Sequence, residues 1–183
     1  MKAKALASVC IKESHVKELT KSLLKLKKTQ VFVGIAQGSK KDSRKTGVIT
    51  NAELGYIHEK GSPSAGIPAR PFLEPGIAKG KARITEDLRL AMDAAIHDDE
   101  DRVKHNLEAA GSHAVSEVKD YMQTADFKPL KPSTIRGRSK ARQTESRRES
   151  EDEALATGDQ SGIRPLINTG QLRNALDYYV EKG

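Results

Sequence analysis

Residues 51–77 read NAELGYIHEKGSPSAGIPARPFLEPGI, and this stretch organises the interpretation of the whole chain. Its first part favours a short helix, with Thr50 or Asn51 as a plausible N-cap. A Gly- and Pro-rich loop follows, in which each proline fixes φ near about −65° and pushes the preceding residue toward extended geometry. The loop is therefore predicted to be stiff, and it leads into another helix.

A stiff, exposed loop that ends in apolar residues suits docking against another protein surface. The candidate interface residues are Ile67, Pro68, Arg70, Pro71, Phe72 and Leu73. Arg70 is the expected partner-pairing residue, because a guanidinium can bind a carboxylate through two hydrogen bonds. On this interpretation Arg70→Glu would block assembly and leave the monomer folded. The alternative is that Phe72 and Leu73 simply begin the next helix inside the core.

Composition limits the class of protein. The chain has 183 residues, of which 36% are hydrophobic and 31% charged, with a net charge of +7. This predicts one domain with a modest core. The positive net charge favours anionic partners such as nucleic acid. The simpler explanation is that the charge only keeps the protein soluble. The single cysteine, Cys10, excludes an intrachain disulfide and a cysteine-based zinc cluster, and it fits a reducing cytoplasm. No apolar run is long enough to predict a membrane span.

Apolar spacing predicts an α+β fold, in which a small sheet of short strands packs with several amphipathic helices. Helical periodicity is visible in residues 16–26, 84–96 and 103–122, and a short helix is expected at Gly170–Leu176. Val31–Ile35 and Asp177–Val180 are typical of strands. We expect the first and last strands to pair and so close the domain.

A long charged insertion loop, flexible and spanning about residues 136–162, completes this prediction. Residues 128–148 are strongly basic, and the acidic segment 149–153 follows. The candidate contacts to phosphate groups or to an acidic partner are Arg136, Arg138, Lys140 and Arg142. Three interpretations stay open: a solvated loop, a protein interface with an acidic neighbour, and a salt-dependent contact to DNA. Base stacking is not indicated, because no aromatic residue is interleaved with these cations.

No arrangement of residues predicts chemistry. The acidic run in His97–Asp101 could suggest a metal site, but acids are also favoured at a helix N-terminus, and contiguous residues rarely converge on one ion. The basic loop 38–47 lacks the Gly-Lys-Ser/Thr ending of a phosphate-binding loop. A set of nucleophile and base is also missing. We therefore expect no catalytic residue, no metal and no cofactor, and we do not expect an enzyme.

Three blocks of the sequence resemble a known family. Residues 54–61 read Leu-Gly-x-x-His-Glu-x-Gly and precede Ile-Pro-Ala-Arg-Pro-Phe-Leu at 67–73. Residues 165–176 read PLINTGQLRNAL, and a weaker match is PLKPSTI at 129–135. Together they cover roughly a third of the chain and resemble the phage tail-completion and neck proteins, including the Mu G-like virion morphogenesis proteins.

The resemblance implies a structural role. It implies a single tail-completion-like domain over residues 1–183, placed in the tail or neck of a tailed-phage virion and present in the host cytoplasm during assembly. The implied partners are the tail terminator, the tail tube or the head–tail connector, together with further copies of the chain in a hexameric ring. A non-specific contact with phage DNA is also compatible with it; a membrane partner is not expected. The alternative function is a sequence-independent nucleic-acid-binding module that uses the basic segment 128–148.

Overall fold

The computed structural model describes residues 13–43, 49–141 and 145–181. Eight helices and two strands occupy these ranges. In chain order they are α1 (Glu13–Lys28), β1 (Gln30–Gly34), α2 (Asn51–Lys60), α3 (Leu73–Lys79), α4 (Lys81–Ile96), α5 (Glu100–Thr124), α6 (Pro132–Ala141), α7 (Glu145–Thr157), α8 (Gln171–Ala175) and β2 (Asp177–Glu181). The predicted α+β class is confirmed.

The long helix α5 is the centre of the fold. Helices α3 and α4 and both strands pack against it. Its predicted apolar spacing is confirmed, since Leu107, Ala110, Ala114, Val118 and Met122 are all buried. The main core cluster joins three residues of α5 to side chains from the rest of the chain. Its buried members are Phe72, Val115, Val118, Met122, Leu166, Leu172 and Leu176.

The first and last strands pair, as the sequence predicts. They are antiparallel, with Phe32 opposite Tyr179 and Val33 opposite Tyr178. Because side chains alternate along a strand, the second pair faces α5 and the first faces outward. The rings of Phe32 and Tyr179 stack on that outer face with centroids 4.8 Å apart. The sheet formed by β1 and β2 therefore packs as a unit against α5.

The start of α2 is held by two carboxylates. Thr50 is the N-cap and forms a capping box with Glu53, which confirms the predicted cap. The buried Asp42 accepts hydrogen bonds from the backbone N–H groups of Ala52 at 2.7 Å and of Gly38 at 2.9 Å. Asp42 thus ties the turn after β1 to the first turn of α2.

These hydrogen bonds lead to a pH-dependent prediction. The N–H groups of Ala52 and Gly38 lower the pKa of the Asp42 carboxyl below its ordinary value. A carboxyl whose pKa is lower in the folded state stabilises the protein above the unfolded-state pKa, and this stabilisation is lost as the pH falls through the folded-state pKa. We expect Asp42→Asn to be less stable than the wild type at pH 7. The difference should shrink below about pH 4, as measured by urea unfolding at both pH values. A difference independent of pH would contradict the assignment.

The predicted insertion loop at 136–162 is the main correction. In the described part of this segment, α6 and α7 form a helical hairpin, so a flexible loop is the wrong description. Four buried residues from the hairpin and the segments that flank it make a second apolar cluster: Leu130, Ile135, Ala154 and Ile163. Ser139 donates a hydrogen bond to Asp152 at 2.6 Å across the hairpin. These helices were not predicted, because most of their residues are charged or polar. The few apolar residues give only a weak helical periodicity of hydrophobicity.

Candidate docking groove

Three segments that are far apart in the sequence, residues 54–73, 129–135 and 165–176, meet in space. They line one open groove, hereafter the motif groove, with a volume of about 570 Å³. Its apolar lining residues are Leu54, Ile67, Leu130, Leu166 and Leu172, and its cationic ones include Lys131 and Arg138. Among the described residues that line it, none carries a carboxylate. The groove therefore suits a ligand that is apolar in part and acidic in part.

The loop between α2 and α3 forms one wall of the groove and is folded back on itself. Ser62 and Ile67 exchange two backbone hydrogen bonds, of 2.8 and 2.9 Å. The N–H of Arg70 donates to the carbonyl of His58 at 2.7 Å. Gly61 has a φ of 77°, and a Cβ at this position would lie 2.8 Å from the backbone N of Ala69. Backbone hydrogen bonds therefore restrict the loop conformation in addition to the prolines.

Glu59 holds the far end of this loop. Its Oε2 accepts hydrogen bonds from the backbone N–H groups of Phe72 at 2.8 Å and of Leu73 at 3.0 Å. Phe72 is the N-cap of α3 and its own side chain cannot cap the helix. Glu59 therefore satisfies donors that would otherwise be left without partners, and its negative charge suits a helix N-terminus.

We expect Glu59→Ala to lower the free energy of unfolding by about 2 kcal/mol, because it leaves two backbone donors unsatisfied and removes charge-assisted hydrogen bonds. Glu59→Gln is the matched control. It keeps an acceptor of the same shape without the charge, and about 1 kcal/mol should be lost. Urea unfolding followed by circular dichroism measures both values. Equal stability of Glu59→Ala and the wild type would disprove the capping role.

Arg70 is turned into the protein. Its side chain is only 4% exposed. Nε donates to the carbonyl of Lys128 at 2.7 Å, and Nη2 donates to the carbonyl of Pro129 at 2.8 Å. Burial lowers the pKa of the guanidinium from its usual value. The guanidinium was predicted to bind a partner's carboxylate through two hydrogen bonds. In this structure it donates both hydrogen bonds to carbonyls of its own chain.

The other candidate interface residues divide between core and surface. Phe72 is buried in the main cluster, and Leu73 is partly buried against it. Ile67 and Pro68 are half-buried and line the motif groove. Pro71 alone among the six is exposed. The alternative raised for Phe72 and Leu73, that they begin a helix inside the core, is therefore how the structure places them.

Arg138 and Gln160 tie the helical hairpin to the rest of the domain. Arg138 donates from Nη1 to the carbonyl of Arg164 at 3.2 Å and from Nη2 to that of Pro165 at 2.6 Å. The Gln160 amide makes two hydrogen bonds with the backbone of Leu130, both under 3 Å: it accepts from N–H at 2.8 Å and donates to C=O at 2.9 Å. The hairpin is thus fixed beside the groove.

The remaining cations of the predicted contact set are on the surface or outside the described ranges. Arg136 and Lys140 are exposed on α6, and Arg142 lies outside the described residues. Lys131, which the sequence analysis did not single out, is exposed and lines the groove. Its position within residues 129–135, next to Pro132, is the sequence feature that could have identified it.

Sequence reasoning missed the roles of Glu59 and Gln160, and it did not predict that Arg138 binds two backbone carbonyls. Glu59 was noted only as part of a motif, since the helix that it caps begins 14 residues later. Gln160 lies 30 residues from the backbone that it binds, within a segment interpreted as flexible. Sequence signatures report contacts between residues a few positions apart, so neither role was predictable from spacing.

The acidic run that raised the question of a metal site belongs to a helix start. Asp99 is the N-cap of α5 and accepts from the N–H of Arg102 at 3.0 Å. Within the described ranges, no group of three or more His, Cys, Asp or Glu residues is arranged to hold a metal ion. Also within these ranges, no helix has the length and apolarity needed to cross a bilayer.

Comparisons with family models, with curated proteins and with solved structures gave no significant match.

Proposed function

We propose that the chain is a structural protein of a tailed-phage virion, a tail-completion or neck component that acts at the head–tail junction. The supporting observation is the motif groove. The three blocks that resemble one family are far apart in sequence, yet all three contribute lining residues to one groove. Segments with a shared binding task are expected to converge in this way, whereas segments that are only structural can lie anywhere in the core.

The groove has the properties of a protein-docking site. Its apolar lining combines the half-buried Leu54 and Ile67 with three buried leucines, while Lys131 and Arg138 supply positive charge. We propose that it receives an acidic and apolar segment of a neighbouring virion protein: the tail terminator, the tail tube, the connector or the next subunit of a hexameric ring. In a ring the contact is heterologous, and each subunit would both offer and occupy such a site.

The decisive experiment for the role is electron microscopy of lysates from a phage that carries an early stop codon in this gene. Filled heads and finished tails lying apart would support the joining role. Overlong tails would identify a length terminator instead. Normal infectious virions would refute the structural role.

A charge reversal tests the groove itself. Lys131→Glu places a carboxylate beside the binding surface, so we expect it to lower particle yield by about tenfold or more through like-charge repulsion with an acidic partner. Lys128→Glu is the matched control, because Lys128 is exposed and does not line the groove. Both purified variants should unfold at the wild-type urea concentration. Equal particle yields from the two variants would exclude the groove as the docking site.

A nucleic-acid-binding module is the second candidate function, and the exposure of Lys128, Lys131, Arg136 and Lys140 favours it. It requires affinity for duplex DNA that falls steeply with salt, by about 0.9 logarithmic unit per phosphate contact for each tenfold rise in salt. Titration of a labelled duplex at two salt concentrations, with Arg136→Glu/Lys140→Glu as the comparison, measures this slope. A slope near zero would remove this candidate.

A further inference from the structure

Helix α4 leaves its large apolar residues outside the core. Ile84, Leu88, Met92 and Ile96 recur every four residues, which predicts one helical face. In the structure Leu88 is 43% exposed, Met92 48% and Ile96 49%. The residues that α4 buries are alanines, Ala91, Ala94 and Ala95. Small side chains allow α4 to lie close to α5, and the large ones line the neighbouring face of the helix, beside the alanines.

This exposed row, Leu88–Met92–Ile96, is hereafter the α4 stripe. A single exposed leucine is ordinary, whereas three large apolar side chains on successive turns make a continuous apolar surface. Helix α1 packs on α4, and Ser22–Asp98 and Lys25–Glu100 contacts of 2.9 and 2.5 Å tie it to the turn after α4 and to the start of α5. The three side chains of the stripe remain exposed beside it.

Charge along α4 is polarised from one end to the other. The N-terminal end carries Lys81 and Arg83, and the C-terminal end is followed by the exposed acids Asp98, Glu100 and Asp101, of which the first two also contact α1. Lys81 lies on the same helical face as the stripe, since it is seven and eleven residues before Leu88 and Met92. A second copy of this helix laid antiparallel would match basic ends with acidic ends. A parallel copy would bring the acidic ends together.

We propose that the α4 stripe is a two-fold contact with a second copy of this chain, in which the two α4 helices run antiparallel and cross near Met92. In this register Leu88 faces Ile96 of the partner subunit, and Lys81 lies near the acidic turn of the partner subunit. The contact is isologous, so it differs from the head-to-tail contact of a ring. It lies outside the motif groove and does not rest on the proposed function.

The first test is the mass of the purified full-length chain by sedimentation over a concentration series. We expect a dimer in the wild type. In Met92→Glu a charge would be buried at the two-fold axis from each copy, which should weaken dimerisation by on the order of 100-fold. Tyr56→Glu is the control: Tyr56 is 68% exposed on α2, away from α4, and its replacement should leave the dimer intact. A wild-type monomer at about 100 μM, or a dimer that Met92→Glu does not weaken, would overturn the proposal.

Cysteine cross-linking tests the antiparallel register. The background is Cys10→Ser, which removes the only native cysteine. Met92→Cys should oxidise to a disulfide-linked dimer, since position 92 meets itself at the axis. Leu88→Cys alone should not, because two such positions are about 12 Å apart along an antiparallel pair, beyond disulfide reach. A mixture of Leu88→Cys and Ile96→Cys chains should cross-link. Efficient self-linking of Leu88→Cys would indicate a parallel pair and overturn the register.

Discussion

Arg70→Glu is expected to lower the free energy of unfolding by about 4 kcal/mol, because it leaves an unpaired charge in a buried site. The guanidinium of Arg70 is buried and donates to the carbonyls of Lys128 and Pro129. A carboxylate at the same place would face two acceptors and could donate to neither. Two carbonyls would also lose their donors, which adds to the cost. This outcome opposes the earlier expectation of a folded monomer that fails only in assembly.

Arg70→Lys is the matched control for this effect. It keeps the positive charge but cannot reproduce the planar fork that reaches both carbonyls, so we expect a loss of about 2 kcal/mol. Urea unfolding of the isolated chain, followed by circular dichroism, gives both values without any partner. If Arg70→Glu were as stable as the wild type, the hydrogen bonds from Arg70 to the two carbonyls would not stabilise the fold. Docking to a partner would then be the favoured role of Arg70.

Gly76→Ala is expected to lower the free energy of unfolding by about 3 kcal/mol, because of overpacking between two helices. At Gly76, α3 comes so close to α5 that an added Cβ would lie 2.7 Å from Val118 Cα and 3.0 Å from its Cγ2. The nearer atom is backbone, so no rotamer change can relieve the clash, and α3 must move away. Moving α3 would also disturb Phe72, which precedes the helix in the main core cluster. Thermal unfolding should show a midpoint lower by roughly 8 °C.

Gly137→Ala is the control of opposite sign. Gly137 lies in α6, and a Cβ there would meet no atom within 4 Å. Alanine is a better helix former than glycine, so this variant should be more stable by about 0.5–1 kcal/mol. Loss of stability in both variants would mean that the effect at Gly76 is not specific to its contact with Val118.

The sequence predicted the local elements of this protein well. The Thr50 cap, the run of apolar residues along α5 and the pairing of the terminal strands all appear in the structure. The short helix expected at Gly170–Leu176 is present as α8, Gln171–Ala175, with Gly170 as its N-cap. The α6–α7 hairpin was interpreted as a loop, because its charged surface hides the apolar period that normally reveals a helix.

The sequence by itself determined the features that depend on residues a few positions apart. These are the helix starts, the apolar faces of helices and the alternation of side chains along the strands. Only the tertiary structure decided which side chains are buried and which distant groups they bind. Arg70 binds carbonyls 58 and 59 residues away, and Arg138 binds carbonyls 26 and 27 residues away. Along α4, spacing alone predicted an apolar face, but the close approach of α5 selected the alanines for burial and left the α4 stripe exposed. Spacing reports the geometry of one element, whereas burial is a competition among all the surfaces that the folded chain brings together.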